Sequence, residues 1–64
     1  MEDRPIVYTI TPVTDVNIRI YTKDWRVDPK DQEIEVHVTK LVNAMTMISV
    51  LLNDEGYAVL FEVD

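Results

Sequence analysis

Hydrophobic and polar residues alternate one by one over much of this 64-residue chain, which is the pattern of strands with one buried face. Residues 5–10 are rich in β-branched and aromatic side chains, and residues 16–27 begin with alternating apolar and polar positions. Both segments are predicted to be strands. Between them, Pro12 cannot donate a backbone hydrogen bond to a sheet, and Asp15 favours a turn. We therefore expect a break at residues 11–15.

Residues 33–39 decide the fold, because their sequence, EIEVHVT, is compatible with both a strand and a helix. As a strand, the segment alternates at every position and places its three aliphatic side chains on one face. A separate helix with Thr39 as its N-cap would then run to about Asp54, over about 22 Å, and match the length of the sheet. Gly56, the only glycine, follows where a helix commonly ends.

The alternative is one long helix over residues 29–54, with Asp28 as its N-cap and Pro29 at its first position. Such a helix would be roughly 39 Å long, whereas a strand of about seven residues spans about 23 Å. It would overhang the sheet and need a second copy to cover it, so the strand is preferred. The long helix is supported by apolar residues spaced four and three apart: Ile34, Val38, Leu41, Met45, Ile48 and Leu52.

The preferred fold is therefore α+β, with one domain over residues 1–64. Its small, mostly antiparallel single-layer sheet has the order βββαβ, and one amphipathic helix covers one face; the alternative is ββαβ with the long helix 29–54. The last strand, residues 57–63, is apolar on nearly both faces, which is typical of a strand inside a sheet, and it is predicted to be either inserted into the meander or added to it. The segment 40–56 is long enough for a crossover to a parallel neighbour.

The predicted helix has one apolar stripe that covers one face of the sheet. Met47 and Val50 fall outside this stripe, toward the polar side of the helix, and are predicted to form a self-association surface. The residues expected to pack together are Leu41, Met45, Ile48 and Leu52, flanked by Ala44 and Leu51, over Val16, Ile18, Ile20, Ile34, Val36 and Val38.

The opposite face of the sheet combines aromatic and charged side chains, and it is the candidate partner-binding site. Oppositely charged residues on neighbouring strands would stabilise the hairpin by roughly 0.2–1 kcal/mol per pair. Exposed aromatic rings would add rigid apolar area for a partner. The predicted site comprises Arg19, Tyr21, Lys23, Trp25, Glu33, Glu35 and His37. One histidine between two glutamates is weak evidence for a metal site, so no metal and no cofactor are predicted.

Composition limits how such a chain reaches stability. A chain of this size hides only about 60% of the surface that its unfolded form exposes. It has no cysteine and one histidine, which excludes a disulfide framework and argues against a structural zinc site. Association with a second copy or a partner is the remaining source of stability.

The net charge of −6 disfavours binding to nucleic acid or anionic lipid through the overall field. The sequence contains no phosphate-binding glycine loop and no serine-nucleophile motif, so no catalytic residues are predicted and we expect a protein that is not an enzyme. The function hypothesis is an acidic protein-interaction module, homodimeric, that occupies a partner surface as an inhibitor or adaptor. The alternative is a small nucleic-acid-binding protein that uses Arg19, Tyr21, Lys23 and Trp25 as a stacking platform.

In size and charge the chain resembles the small acidic proteins that phages use to block host enzymes, including mimics of nucleic acid. The carboxylates that would form such a surface are Glu2, Asp3, Asp54, Glu55, Glu62 and Asp64. The longest apolar-rich stretch, residues 41–52, is too short to cross a membrane, and the N-terminus lacks a signal-peptide pattern. A cytoplasmic location without membrane contact is expected.

Overall fold

The computed structural model describes residues 4–64, which form four strands and one α-helix. Short 3₁₀ turns precede β3 and α1. The elements in chain order are β1 (Ile6–Pro12), β2 (Asn17–Tyr21), β3 (Glu33–His37), α1 (Leu41–Asp54) and β4 (Val59–Val63). The predicted α+β fold is confirmed, and the alternative of a long helix over residues 29–54 is wrong.

The strand order in the sheet is β3-β2-β1-β4, with an antiparallel β1–β2–β3 meander and β4 parallel to β1. Ile20 lies opposite both Ile10 and Ile34, so the apolar residues of the meander share one face. The last strand is therefore added to the meander and not inserted into it. Residues 13–16 join β1 to β2 and residues 22–32 join β2 to β3, the three strands are direct neighbours, and β4 takes the edge beside β1.

Two of the predicted strands are shorter than expected. Beyond Tyr21 the chain leaves β2, and after His37 it enters the 3₁₀ turn Val38–Lys40. Val16 and Val38, which were predicted to lie under the helix, are exposed, although Val38 N–H still donates to Val16 O at 2.7 Å. The 3₁₀ turn directs the chain into α1 at this point, and the helix does not cover the side chains of Val16 and Val38.

The two ends of α1 differ in how well the sequence predicts them. The helix begins after Lys40, which makes no side-chain capping bond, so the prediction of Thr39 as its N-cap is wrong. Gly56 has a φ of +85°, and its N–H donates to Asn53 O, while Tyr57 N–H donates to Leu52 O. These two bonds form a Schellman motif, which confirms the glycine at the end of the helix.

The core lies between α1 and the covered face of the sheet. Tyr8 is at its centre: its ring stacks on Phe61 with centroids 5.9 Å apart, and its hydroxyl donates to the carbonyl of Asp31 at 3.0 Å. Burial, followed by the negative charges of Asp31 and Asp24, raises the pKa of the Tyr8 phenol, so it remains a donor. Leu51, predicted to flank the helix stripe, is exposed. The buried apolar residues are Ile6, Tyr8, Ile10, Ile20, Val27, Ala44 and Ile48.

Over residues 4–64, no helix combines the length and the apolar character that crossing a membrane requires.

We predict that Tyr8→Phe lowers the free energy of unfolding by about 1 kcal/mol, because it leaves the Asp31 carbonyl without its donor while the ring still fills the core. Urea denaturation followed by circular dichroism measures the change. Tyr21→Phe, on the open face of the sheet, is the control and should change the value by less than about 0.5 kcal/mol. Equal effects of the two substitutions would contradict the proposed role of the Tyr8 hydroxyl.

Candidate functional site: the open sheet face and the Trp25 loop

Five of the seven predicted partner-binding residues share the face of the sheet that α1 leaves uncovered. The register places Arg19 opposite Glu35, Tyr21 opposite Glu33, and Asn17 opposite His37. Thr9 lies opposite Tyr21 on one side and Glu62 on the other, so a carboxylate stands near each edge of the face. The sheet therefore presents one arginine between glutamates on both outer strands.

Arg19 contacts an aromatic ring and does not form the expected ion pair. Its guanidinium carbon lies 5.4 Å from the centroid of the Tyr21 ring. In the described chain no salt bridge joins Arg19 to Glu35, and its Nε is shielded from water without a hydrogen-bond partner. Because the guanidinium lies over Tyr21, one side of this ring is already covered by the protein's own cation.

The remaining two predicted residues, Lys23 and Trp25, lie beyond the end of β2, in the loop that follows it. Beyond Tyr21, the backbone N–H of Thr22 donates to Gln32 O, and the Thr22 side chain is buried. Residues 22–28 then form a loop, so the alternation expected to continue along the strand stops. The Thr22 hydroxyl also accepts from Asp24 N–H at 3.1 Å, which turns the chain out of the sheet.

The loop, residues 22–28, is tied down on both sides of Trp25. Asp24 accepts from Arg26 through its backbone N–H at 3.0 Å and its Nε at 2.8 Å, and a second guanidinium nitrogen bonds the other carboxylate oxygen. The Gln32 amide donates to the carbonyls of Asp24 and Val27 at 3.1 and 3.0 Å. The Val27 side chain is buried in the core. Both neighbours of Trp25 thus have fixed positions.

Trp25 itself is 87% exposed. An exposed tryptophan leaves a large apolar ring in water, and a tryptophan on a fixed loop can enter a partner with little loss of conformational freedom. Tryptophan is also among the residues that most often dominate binding energy at protein interfaces. Trp25 is therefore the strongest candidate anchor on the described surface.

A crevice of about 380 Å³ lies beside this loop, between it and the carboxyl end of α1. Arg26 is one of its lining residues: the guanidinium carbon lies 5.7 Å from the centroid of the Tyr57 ring, and the same group donates to the carbonyl of Arg4 at 3.0 Å. The walls carry charges of both signs above the apolar surface of Leu51, Leu52 and Tyr57. Such a mixed lining suits a segment of polypeptide.

The His37 side chain forms a hydrogen bond with the backbone two residues later. Its Nδ1 accepts from the N–H of Thr39 at 3.3 Å and lies 3.0 Å from the Thr39 hydroxyl. It thereby caps the 3₁₀ turn that leads to α1. Across residues 4–64, no three acidic or histidine side chains come together in an arrangement that would hold a metal ion.

The predicted self-association residues, Met47 and Val50, lie on the outer surface of α1 and are 64% and 55% exposed. Two further apolar residues of α1 are exposed: Val42, and Leu51, which was predicted to pack beside the apolar stripe. The signal that identifies this surface is the absence of any charged side chain from Leu41 to Asn53 in a chain with 28% charged residues. The outer surface of α1 is therefore neutral.

The carboxylates proposed as one acidic surface do not form a continuous row. Asp54 ends α1 and Glu55 follows it, both before β4 begins, whereas Glu62 and Asp64 lie at the other end of β4. The Asp64 carboxylate accepts from the Thr11 hydroxyl at 3.5 Å. Glu2 and Asp3 lie outside the described residues.

Comparisons with models of protein families, with curated protein sequences and with solved structures return no match to this chain.

We predict that Gln32→Ala loosens the Trp25 loop without unfolding the sheet, because it removes the donor to two loop carbonyls. Trp25 is the only tryptophan, so its time-resolved fluorescence anisotropy measures the motion of this loop alone. We expect a larger amplitude of fast local motion in the variant. Thr46→Ala, in α1, is the control and should leave the anisotropy unchanged; no change with Gln32→Ala would contradict the fixed loop.

The pH dependence of the loop follows from Asp24. The side-chain hydrogen bond from Arg26 lowers the pKa of this carboxyl below its ordinary value of 3.8. The pair therefore stabilises the fold fully above pH 3.8, and its contribution is lost as the pH falls through the lowered pKa. A double-mutant cycle with Asp24→Asn and Arg26→Gln should show a coupling free energy that is constant near pH 6 and decreases below pH 3.8. A coupling independent of pH would contradict this role.

Proposed function

We propose that the protein is a non-catalytic, acidic interaction module that occupies the surface of another protein, with Trp25 as its anchor. The observation that carries the proposal is the 87% exposure of Trp25 on a loop whose flanking residues are held by Asp24, Arg26 and Gln32. A mobile loop would lose conformational entropy on binding, and a fixed loop avoids most of this cost. The loop is therefore suited to binding in which one large side chain, Trp25, makes the main contact with the partner.

Charge supports a partner with a basic surface. Glu33 and Glu35 are exposed on β3 next to the point where the Trp25 loop leaves the sheet, and the chain as a whole carries −6. Complementary charge accelerates encounter with a cationic surface and excludes acidic partners. The proposed partner is therefore a protein with an apolar pocket for an indole ring, surrounded by lysine or arginine. Such a surface is compatible with two roles: inhibition of a nucleic-acid-binding protein, and recruitment of a protein as an adaptor.

The alternative, a nucleic-acid-binding platform, has less support from the geometry. Its four residues are divided between the sheet and the loop, and the two on the sheet, Arg19 and Tyr21, each have a glutamate directly opposite. Arg19 also covers one side of the Tyr21 ring. A phosphate backbone approaching this face would meet carboxylates first.

We expect Trp25→Ala to abolish capture of the partner or to weaken binding by about 30-fold or more, the range of an interface hot spot. Immobilised protein should capture the partner from a lysate of the source cells, and isothermal titration with the purified partner then gives the affinity. Val13→Ala, at an exposed position in the β1–β2 turn, is the control and should bind as wild type does. Wild-type affinity of the Trp25 variant would contradict the anchor.

The double substitution Glu33→Lys, Glu35→Lys tests the charge contribution separately. We expect a slower association rate and a smaller dependence of that rate on salt, because these carboxylates are exposed and act over distance. Surface plasmon resonance over a series of salt concentrations measures both effects. Labelled single-stranded DNA and RNA provide the test of the alternative, and salt-sensitive binding that depends on Arg19 would favour it over the protein partner.

A further inference from the structure

The two edges of the sheet are protected very differently. β3, at one edge, has the sequence EIEVH, and its exposed glutamates oppose the approach of another strand. β4, at the other edge, has the sequence VLFEV with one charged residue, and its outer side has no partner within residues 4–64. Sheets usually protect such an edge with charges, proline or a bulge, and β4 shows no proline and little charge.

The backbone of β4 shows which groups remain unpaired at this edge. Ile6 N–H donates to Ala58 O, and Asp64 N–H donates to Ile10 O, so the even-numbered residues of β4 bond to β1. Successive backbone groups of a strand point to opposite sides. The N–H and C=O groups of the odd-numbered residues, Val59, Phe61 and Val63, therefore point away from the sheet.

We infer that β4 pairs antiparallel with β4 of a second copy of this chain, about a two-fold axis at Phe61. In this register Phe61 lies opposite its own counterpart, and Val59 lies opposite Val63 of the other copy. These are the residues whose backbone groups point outward, and each such pair exchanges both of its hydrogen bonds. The register thus uses every outward backbone group of β4.

Charge allows a second copy at this edge, and the unpaired backbone groups of β4 distinguish it from the outer surface of α1, which is also neutral. Each chain carries −6, so two copies can approach closely only where carboxylates are few. Glu62, the one charged residue of β4, would lie opposite Leu60 of the other copy, so that the two glutamates are not direct neighbours. An even sum of paired residue numbers also puts both helices on the same face of the joined sheet.

Side-chain exposure is consistent with this pairing. Val63 is 82% exposed although its neighbour in β1, Ile10, is buried, and Leu60 is exposed on the open face. The pairing would place Val63 beside Val59 of the other copy, and Leu60 beside the aliphatic part of the Glu62 side chain. This surface is distinct from Met47 and Val50 on the outside of α1, and also from Trp25, so the inference does not depend on the proposed partner.

The first test is hydrogen exchange of the β4 amides by NMR at low and high protein concentration. In the dimer, the amides of Val59, Phe61 and Val63 should become at least about tenfold more protected, while those of Leu60 and Glu62 are protected at both concentrations. Sedimentation equilibrium should show a species of twice the 7.5 kDa chain mass. Its dissociation constant should fall as salt rises, because salt screens the repulsion between two negative chains.

The second test removes one outward N–H without disturbing the fold. Val63→Pro should weaken the dimer by about tenfold or more, because proline is tolerated on an edge strand and lacks the donor. Val63→Thr keeps the donor and the branched shape, and is the matched control, with an expected change below about twofold. Circular dichroism confirms that both variants fold.

Three results would overturn the inference. They are a wild-type chain that stays monomeric into the millimolar range, a dimer whose odd-numbered β4 amides exchange as fast as in the monomer, and a dimer that Val50→Lys disrupts and Val63→Pro does not. The last would place the contact on α1. Binding of the proposed partner is measured separately with the Trp25 variant. It should weaken as salt rises, whereas the β4 dimer should strengthen, so the failure of either proposal can be recognised without the other.

Discussion

Only one face of the four-stranded sheet contributes to the core, because a single helix is all that covers the sheet. The pairing of Ile20 with both Ile10 and Ile34 aligns the apolar residues of three strands beneath α1. A shift of one residue in either hairpin would turn these side chains to water and lose the core. The opposite face, both sheet edges and the outer side of α1 stay in contact with solvent as a result. The small size of the chain thus creates the surfaces through which we propose that it acts.

The Trp25 loop shows how a residue with no role in the core can depend on it. Val27 is buried, and Gln32, at the start of β3, bonds the loop carbonyls on both sides of the indole. Arg26 joins the loop to Arg4 and to Tyr57 near β4. Distant parts of the chain therefore hold the backbone on both sides of Trp25, although its indole ring is almost fully exposed.

Strict alternation predicted β3 and the common apolar face of the meander, and the single glycine predicted the end of α1. The alternating pattern predicted too long a strand at the point where a side chain forms a hydrogen bond with the backbone. Thr22 is buried and its hydroxyl accepts from Asp24, so β2 ends at Tyr21, and Lys23 and Trp25 lie in the loop that follows. The sequence also left the place of β4 open, because its apolar composition fits both an interior strand and an unprotected edge. Amino-acid composition does not show whether an apolar strand such as β4 is buried by its own chain or by a second molecule.

The parallel pairing of β1 with β4 also bears on the order in which the molecule assembles. Ile6 lies opposite Val59, 53 positions later in the chain, whereas residues 13–16 join β1 to β2 and residues 22–32 join β2 to β3. Closing the longer loop costs more entropy before any contact offsets it, so we expect β4 to dock last. Until it docks, the outer edge of β1 has no partner strand, and we expect molecules in this state to associate through that edge. We expect release of β4 by heat or denaturant to expose the same edge.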